Sequence, residues 1–200
     1  SDKISFGLHI TLDEGAPLLA SDVLLEKGYY KIDDGKVCMQ VPNLKKPIPT
    51  MVLMELYKEI ETQLIKLLDN GIEVTHIDSH HHVHSSPFIL PIVMKLSNKY
   101  SIHKVRGIRN YYPRSVNKYL RSGWKLYAKL LNTKCVMTDY FSSTSEYLDS
   151  DLIVDNSTIE LMCHPGHPKR IFQEEIESLK DFVKRANNEI QFISYSDFGK

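Results

Sequence analysis

The sequence predicts an α/β domain on a mostly parallel sheet, open or closed into a barrel. Three observations carry this. Short runs rich in β-branched and aromatic residues alternate along the chain with stretches of helical period. The 200 residues suit one domain that buries its own core. The polar residues of interest (His80, Arg109, His164) fall where an apolar run meets a loop, where α/β folds gather their sites.

In chain order, "KISFGLHITL" (3–12) reads as a strand, and a Gly- and Pro-containing stretch to about residue 46 reads as loop. Residues 47–71 carry Val52, Leu56, Ile60, Leu64, Leu67 and Leu68 at helical spacing and end on Asn70-Gly71, a helix stop. "IEVTHID" (72–78) is the second strand. Residues 85–100 form a helix with Ser86 as N-cap and Pro87 in the first turn. "KVRGIRN" (104–110) is a third strand, 116–132 a helix and 133–150 loop. "TIELMCHPGH" (158–167) is a buried strand that breaks into a loop, 172–187 an amphipathic helix, and "IQFISYSD" (190–197) a closing strand.

Composition narrows the function. Twenty-five Lys and Arg balance 25 Asp and Glu, so no field attracts nucleic acid or an acidic membrane. No apolar run approaches the roughly 20 residues that span a bilayer, and no signal peptide is read at the first residues. Cys38, Cys135 and Cys163 are odd in number and widely spaced, so they form neither a disulfide framework nor a CxxC zinc pair. The expected setting is the cytoplasm and the expected partner a small molecule.

"THIDSHHHVH" (75–84) sets five histidines around one aspartate. On an extended segment His76, Asp78, His80, His82 and His84 share one parity, and Ile77, Ser79, His81 and Val83 the other. Neutral imidazole is the commonest protein ligand for divalent transition metals, and a carboxylate ligates beside it or orients it through its second nitrogen. A metal site is the expectation. His9 taken alone reads as a core histidine, and Arg106 and Arg109 taken alone pair with surface acids. A Cys163–His164 nucleophile is disfavoured, since neighbours on a strand point to opposite faces.

"GLHITLDEGAPL" (7–18), "THIDSHHHVH" followed by "PFILPIV" (87–93), and "ELMCHPG" (160–166) together resemble the YdjC-like carbohydrate deacetylases, a family that includes the chitooligosaccharide deacetylases. The resemblance implies a distorted (β/α) barrel related to the polysaccharide deacetylases, and removal of acetyl groups from N-acetylated amino sugars by one divalent metal. The family's metal triad is Asp-His-His; its first histidine falls on His9 and its second on His80. The family opens with an "NADDFG"-like strand whose second aspartate ligates the metal and whose first is the base. This chain starts just before the "GLH" strand, and "SDFG" (196–199) stands at the wrong end to replace that motif. The expectation is therefore one deacetylase domain over 1–200, lacking its N-terminal strand and helix, poorly active alone and able to form a homodimer through the edge left open.

On this reading a zinc or magnesium ion at His9 and His80 activates water and polarises the acetyl carbonyl. His-rich ligation favours zinc, while the resemblance leaves magnesium open. His164 is the expected general acid, because an unperturbed imidazole titrates near ~6.5. Arg106 and Arg109 orient a carboxylate or a sugar hydroxyl. Asp78 fixes a histidine tautomer, with His82 and His84 near it or the substrate. Two other classes stay open: an amidohydrolase-type metal-dependent barrel enzyme, and a catalytically impaired carbohydrate-binding protein.

Overall fold

The computed structural model describes residues 4–40, 46–112, 115–116, 118–149, 156–166, 170–185 and 190–199. They fall into two units: Lys3–Val105 with Ala128–Val136, and Arg106–Tyr127 with Met137–Lys200. The outer ends of three predicted elements, at residues 3, 167 and 186–187, lie outside the described residues.

The first unit is built on three parallel strands, β1 (Phe6–Ile10), β4 (Val74–Ser79) and β5 (Lys104–Val105), in the order β1-β4-β5. Between β1 and β4 come α1 (Asp22–Glu26), the hairpin β2 (Tyr30–Asp33) and β3 (Lys36–Met39), and α2 (Thr50–Asp69). A 3₁₀ turn (His80–Ser85) and α3 (Leu90–Lys99) follow β4. Leu8 and Ile10 of β1 and Ile77 of β4 are buried. So are Val52, Leu56, Ile60 and Leu64, which recur every fourth residue along one face of α2. Each such side chain removed from water contributes about 1.5–3 kcal/mol. The α2 stop is the one the sequence announces. Gly71 (φ +74) donates to the Leu68 carbonyl and Ile72 to that of Leu67, a paired closure that needs a left-handed residue where glycine stands.

Several expectations are corrected. The stretch read as loop up to residue 46 holds α1 and the β2–β3 hairpin. Ser21 caps α1, and the hairpin turns on Asp34 (φ 46) and Gly35 (φ 72). That Asp-Gly pair, with both residues at positive φ, is the preferred two-residue turn between twisted strands. α3 begins at Leu90, with Pro91 in its first turn. Ser86 instead caps the preceding turn, where its carbonyl accepts from Ile89 and Leu90. The strand over 104–110 shrinks to β5.

The second unit contains the antiparallel pair β6 (Tyr111–Tyr112) and β7 (Ser115–Val116), and the parallel pair β8 (Tyr140–Ser143) and β9 (Ile159–Met162). It also contains α5 (Thr144–Leu148) and α6 (Arg170–Arg185), while α4 (Lys118–Leu131) supplies residues to both units. Thus β8 and α5 replace the loop expected over 133–150. β8 is buried along most of its length, so it lacks the alternation that betrays a half-exposed strand. The strand expected over 190–197 does not form: Phe192 and Ile193 are each 45% exposed in a segment without regular structure before a turn. The fold is mixed α/β with parallel pairing in both units. No helix among the described residues is long and apolar enough to cross a membrane.

Candidate metal centre

His9 on β1 and Asp78 on β4 are register partners in the parallel pair. Register partners on neighbouring strands point to one face, and the Nδ1–H of His9 donates to Asp78 Oδ1 at 2.9 Å. Asp78 is buried, and His9 presents about half its side chain to solvent.

The strand ends at Ser79. In the turn that follows, His81 (φ 43) and His82 (φ 59) are both left-handed, a conformation that costs a non-glycine residue about 1–3 kcal/mol. The strand-like parity expected through His84 is therefore corrected: it stops at Ser79, and His82 and His84 are carried by the turn. His84 is fully buried, its Nδ1 2.5 Å from Ser79 Oγ, which also accepts the His84 N–H at 3.0 Å. Its ring meets that of His82 edge-on, with centroids 6.4 Å apart.

The turn sets the His80 and His81 rings side by side, centroids 3.8 Å apart and planes tilted by 46°, and aims both at Asp13. The Nδ1–H of His80 donates to Asp13 Oδ1 at 2.9 Å, and that of His81 to Oδ2 at 2.7 Å. One oxygen of Asp13 and one ring nitrogen from each histidine lie within 4.8 Å of one another. His80 Nε2 is 3.4 Å from Glu14 Oε2, and the rings of His9 and His80 are 6.0 Å apart, edge to face. Burial would raise the Asp13 carboxyl, but the hydrogen bonds and charges of His80 and His81 outweigh it and hold it below the ordinary aspartate value. Asp13, Glu14 and His81 are the residues sequence reasoning passed over, although the first two stand inside the "GLHITLDEGAPL" segment.

The donor set fits a divalent ion. A carboxylate on Nδ1 fixes the tautomer whose Nε2 holds the lone pair, the usual support of a metal-binding histidine. Asp78 gives His9 that support and Asp13 gives it to His80. Beside His9 a cavity of about 410 Å³ opens between β1, the segment after it and α2, with Thr11, Glu14, Met39 and Gln63 in its wall.

The other sequence candidates lie in the second unit. Arg106 Nε donates to Glu160 Oε1 at 2.6 Å, and its guanidinium stands 4.8 Å over the Phe141 ring. Tyr195 hydrogen-bonds the second oxygen of Glu160, and Arg109 pairs with Glu146. His164 stands two residues beyond β9. Its backbone N–H donates to Glu175 Oε2 at 3.3 Å, and its Nδ1 lies 3.5 Å from the same oxygen. Glu175 is buried on α6, and no pattern in the sequence marks it, since it interrupts an amphipathic helix with an acid on the inner face.

Among solved structures, the chain superposes on a protein from Enterococcus faecalis V583 described as a cellobiose-phosphate cleavage protein. The TM-score is 0.67 over 98% of this chain and 78% of that one, at 21% identity, a likeness of fold. Among curated proteins, it is 24% identical over 188 residues to the carbohydrate deacetylase of Halalkalibacterium halodurans, covering 91% of this chain and 71% of that protein. It is 26% identical over 216 residues to that of Thermoanaerobacter pseudethanolicus, covering 96% and 77%. With the carbohydrate deacetylase of Geobacillus stearothermophilus it shares 28% identity over 218 residues, covering 99% and 78%. The sequence pattern that describes YdjC-like proteins matches residues 1–198, so the chain belongs to the YdjC-like protein family.

Proposed function

We propose that this protein hydrolyses the acetamido group of N-acetylated amino sugars, chitooligosaccharides among them, to acetate and a free amine. It does so with one divalent ion held by His9 and His80, with Asp13 as the anionic partner and His81 beside it. The observation that carries the reading is the pairing of two histidines from the sheet's C-terminal rim, each with a carboxylate on its Nδ1. Relatives of the family named carbohydrate deacetylases supply the substrate class. The scaffold we infer is the distorted (β/α) barrel that the family resemblance implies.

When bound, such an ion supplies water activation near neutral pH and polarisation of the acetyl carbonyl. The mixed imidazole and carboxylate donors suit zinc, whereas magnesium prefers an oxygen-rich shell. Asp78 and Asp13 accept from the Nδ1–H groups and so orient the two imidazoles, and Glu14, 3.4 Å from His80 Nε2, is assigned the proton of the attacking water. His164 is assigned the proton for the leaving amine on the strength of its motif, with Glu175 orienting its ring. The test is acetate release from N,N′-diacetylchitobiose after loading with zinc or magnesium, repeated with a chelator. Chelator-sensitive turnover supports the reading. A chain that binds neither ion and releases no acetate overturns it.

A further inference from the structure

The segment that carries Asp13 and Glu14 has no regular structure from Thr11 to Ala20, yet it holds a carboxylate against two histidines. Its order comes from α2. Glu55, Glu59 and Gln63 stand four residues apart, hence on one face of the helix and about 6 Å apart along its axis. Gln63 grips Thr11 at both ends of its backbone: Oε1 accepts the Thr11 N–H at 3.1 Å, and Nε2 donates to the Thr11 carbonyl at 2.8 Å. The same Nε2 donates to Glu59 Oε1 at 3.0 Å, joining the two helix residues. Glu59, fully buried, accepts the N–H of Leu18 at 3.1 Å and of Leu19 at 2.7 Å. Glu55 accepts the Ser21 hydroxyl at 3.0 Å, and between the grips the Gly15 carbonyl accepts from Met39 N at 2.8 Å.

A fully buried carboxylate is costly unless backbone donors surround it, and an apolar residue at position 59 would serve the core as well. What Glu59 and Gln63 add is a fixed path for the chain on either side of Asp13. We propose that Glu59 and Gln63 are positioning residues of the metal centre: they brace the Thr11–Leu19 segment so that Asp13 meets His80 and His81. This rests on the reading of that centre as a divalent-metal site. Neither residue touches the imidazoles; both act through the backbone that carries Asp13.

The test compares Gln63→Leu with Leu64→Ala, which cuts the buried face of the same helix and leaves the brace intact. Thermal unfolding measures the loss of stability in each, so that the comparison is made at matched loss. Zinc affinity of the folded chain, by competition with a chromophoric chelator, is expected to fall about tenfold or more in Gln63→Leu and to stay within about twofold in Leu64→Ala, as for loss of a group that orients a ligand. Hydrogen exchange at the amides of Thr11, Leu18 and Leu19 in the metal-free chain is the second arm, expected to quicken at least tenfold in Gln63→Leu alone. Equal zinc affinity and unchanged exchange in Gln63→Leu, or equal losses in the two helix variants, overturn the proposal. If the unaltered chain takes up no divalent ion, the metal reading falls, and the exchange arm still decides whether the brace orders the segment.

Discussion

Replacing Asp13 with Asn keeps the shape of the side chain while removing its charge and one of its two acceptor oxygens. In the native arrangement each oxygen takes one imidazole N–H, His80 at 2.9 Å and His81 at 2.7 Å. The two bonds are unequal in worth. The His81 side chain is 71% exposed, so its bond competes with water and contributes at the low end of about 0–1 kcal/mol. The His80 side chain is 29% exposed and that of Asp13 19%, so their bond contributes about 1–1.5 kcal/mol. Asp13→Asn is therefore expected to destabilise the metal-free fold by about 1–2 kcal/mol in urea unfolding. Loss of the anion beside the ligands should weaken zinc by about 10–100-fold, or about 1.4–2.8 kcal/mol of binding.

The pH dependence has a definite sign. A carboxyl held below its ordinary value stabilises the folded chain above the unfolded value, near ~3.9, and loses that contribution as pH falls through the folded one. The stability gap between the native chain and Asp13→Asn should be constant at neutral pH and close on acidification below about 4. Zinc affinity within twofold of native, with a stability gap that does not change with pH, would refute the assignment of Asp13 to the centre.

Further outcomes are expected elsewhere. Gly7→Ala would place a Cβ 2.4 Å from His76 Nε2, so the imidazole must leave its bond to Thr75 Oγ1, at a cost of about 1–3 kcal/mol by urea titration. Glu59→Ala leaves the Leu18 and Leu19 amides without their acceptor and should cost about 2–4 kcal/mol, more than Glu55→Ala, whose carboxylate serves a side-chain hydroxyl. His164→Ala should lower kcat by about 10²–10⁴ while zinc content, measured by elemental analysis, stays unchanged; equal loss of metal would make it a ligand.

What the sequence made legible is what local periodicity controls. α2 is an example: its buried residues at every fourth position and its Asn70-Gly71 stop are facts of the chain itself. The His9–Asp78 contact was half legible, because each residue stood in a strand that could be read, while the register that makes them partners depends on pairing across 69 residues. The β2–β3 hairpin had its signal in Asp34-Gly35, hidden by reading Gly and Pro content in place of the alternation around it. The short strand β8 had none, being buried on both faces and half serine.

The meeting of His80 and His81 on Asp13 escaped for a different reason. Strand alternation, had it continued past Ser79, would have sent His80 and His81 to opposite faces, and no single carboxylate could have met both. The backbone breaks the alternation with two left-handed histidines and so brings consecutive imidazoles to one aspartate 67 and 68 residues away. That strain of about 1–3 kcal/mol per residue, at angles a glycine would adopt freely, is offset within the turn by Ser79 on His84 and by Ser85 on the His82 carbonyl. A further offset is distant: Asp13, on a segment that α2 holds in place. The residues that a period-two reading mispredicts are therefore the ones the fold spends strain to aim, and a rule of local periodicity fails there because the chain has been bent for a purpose that only the tertiary structure contains.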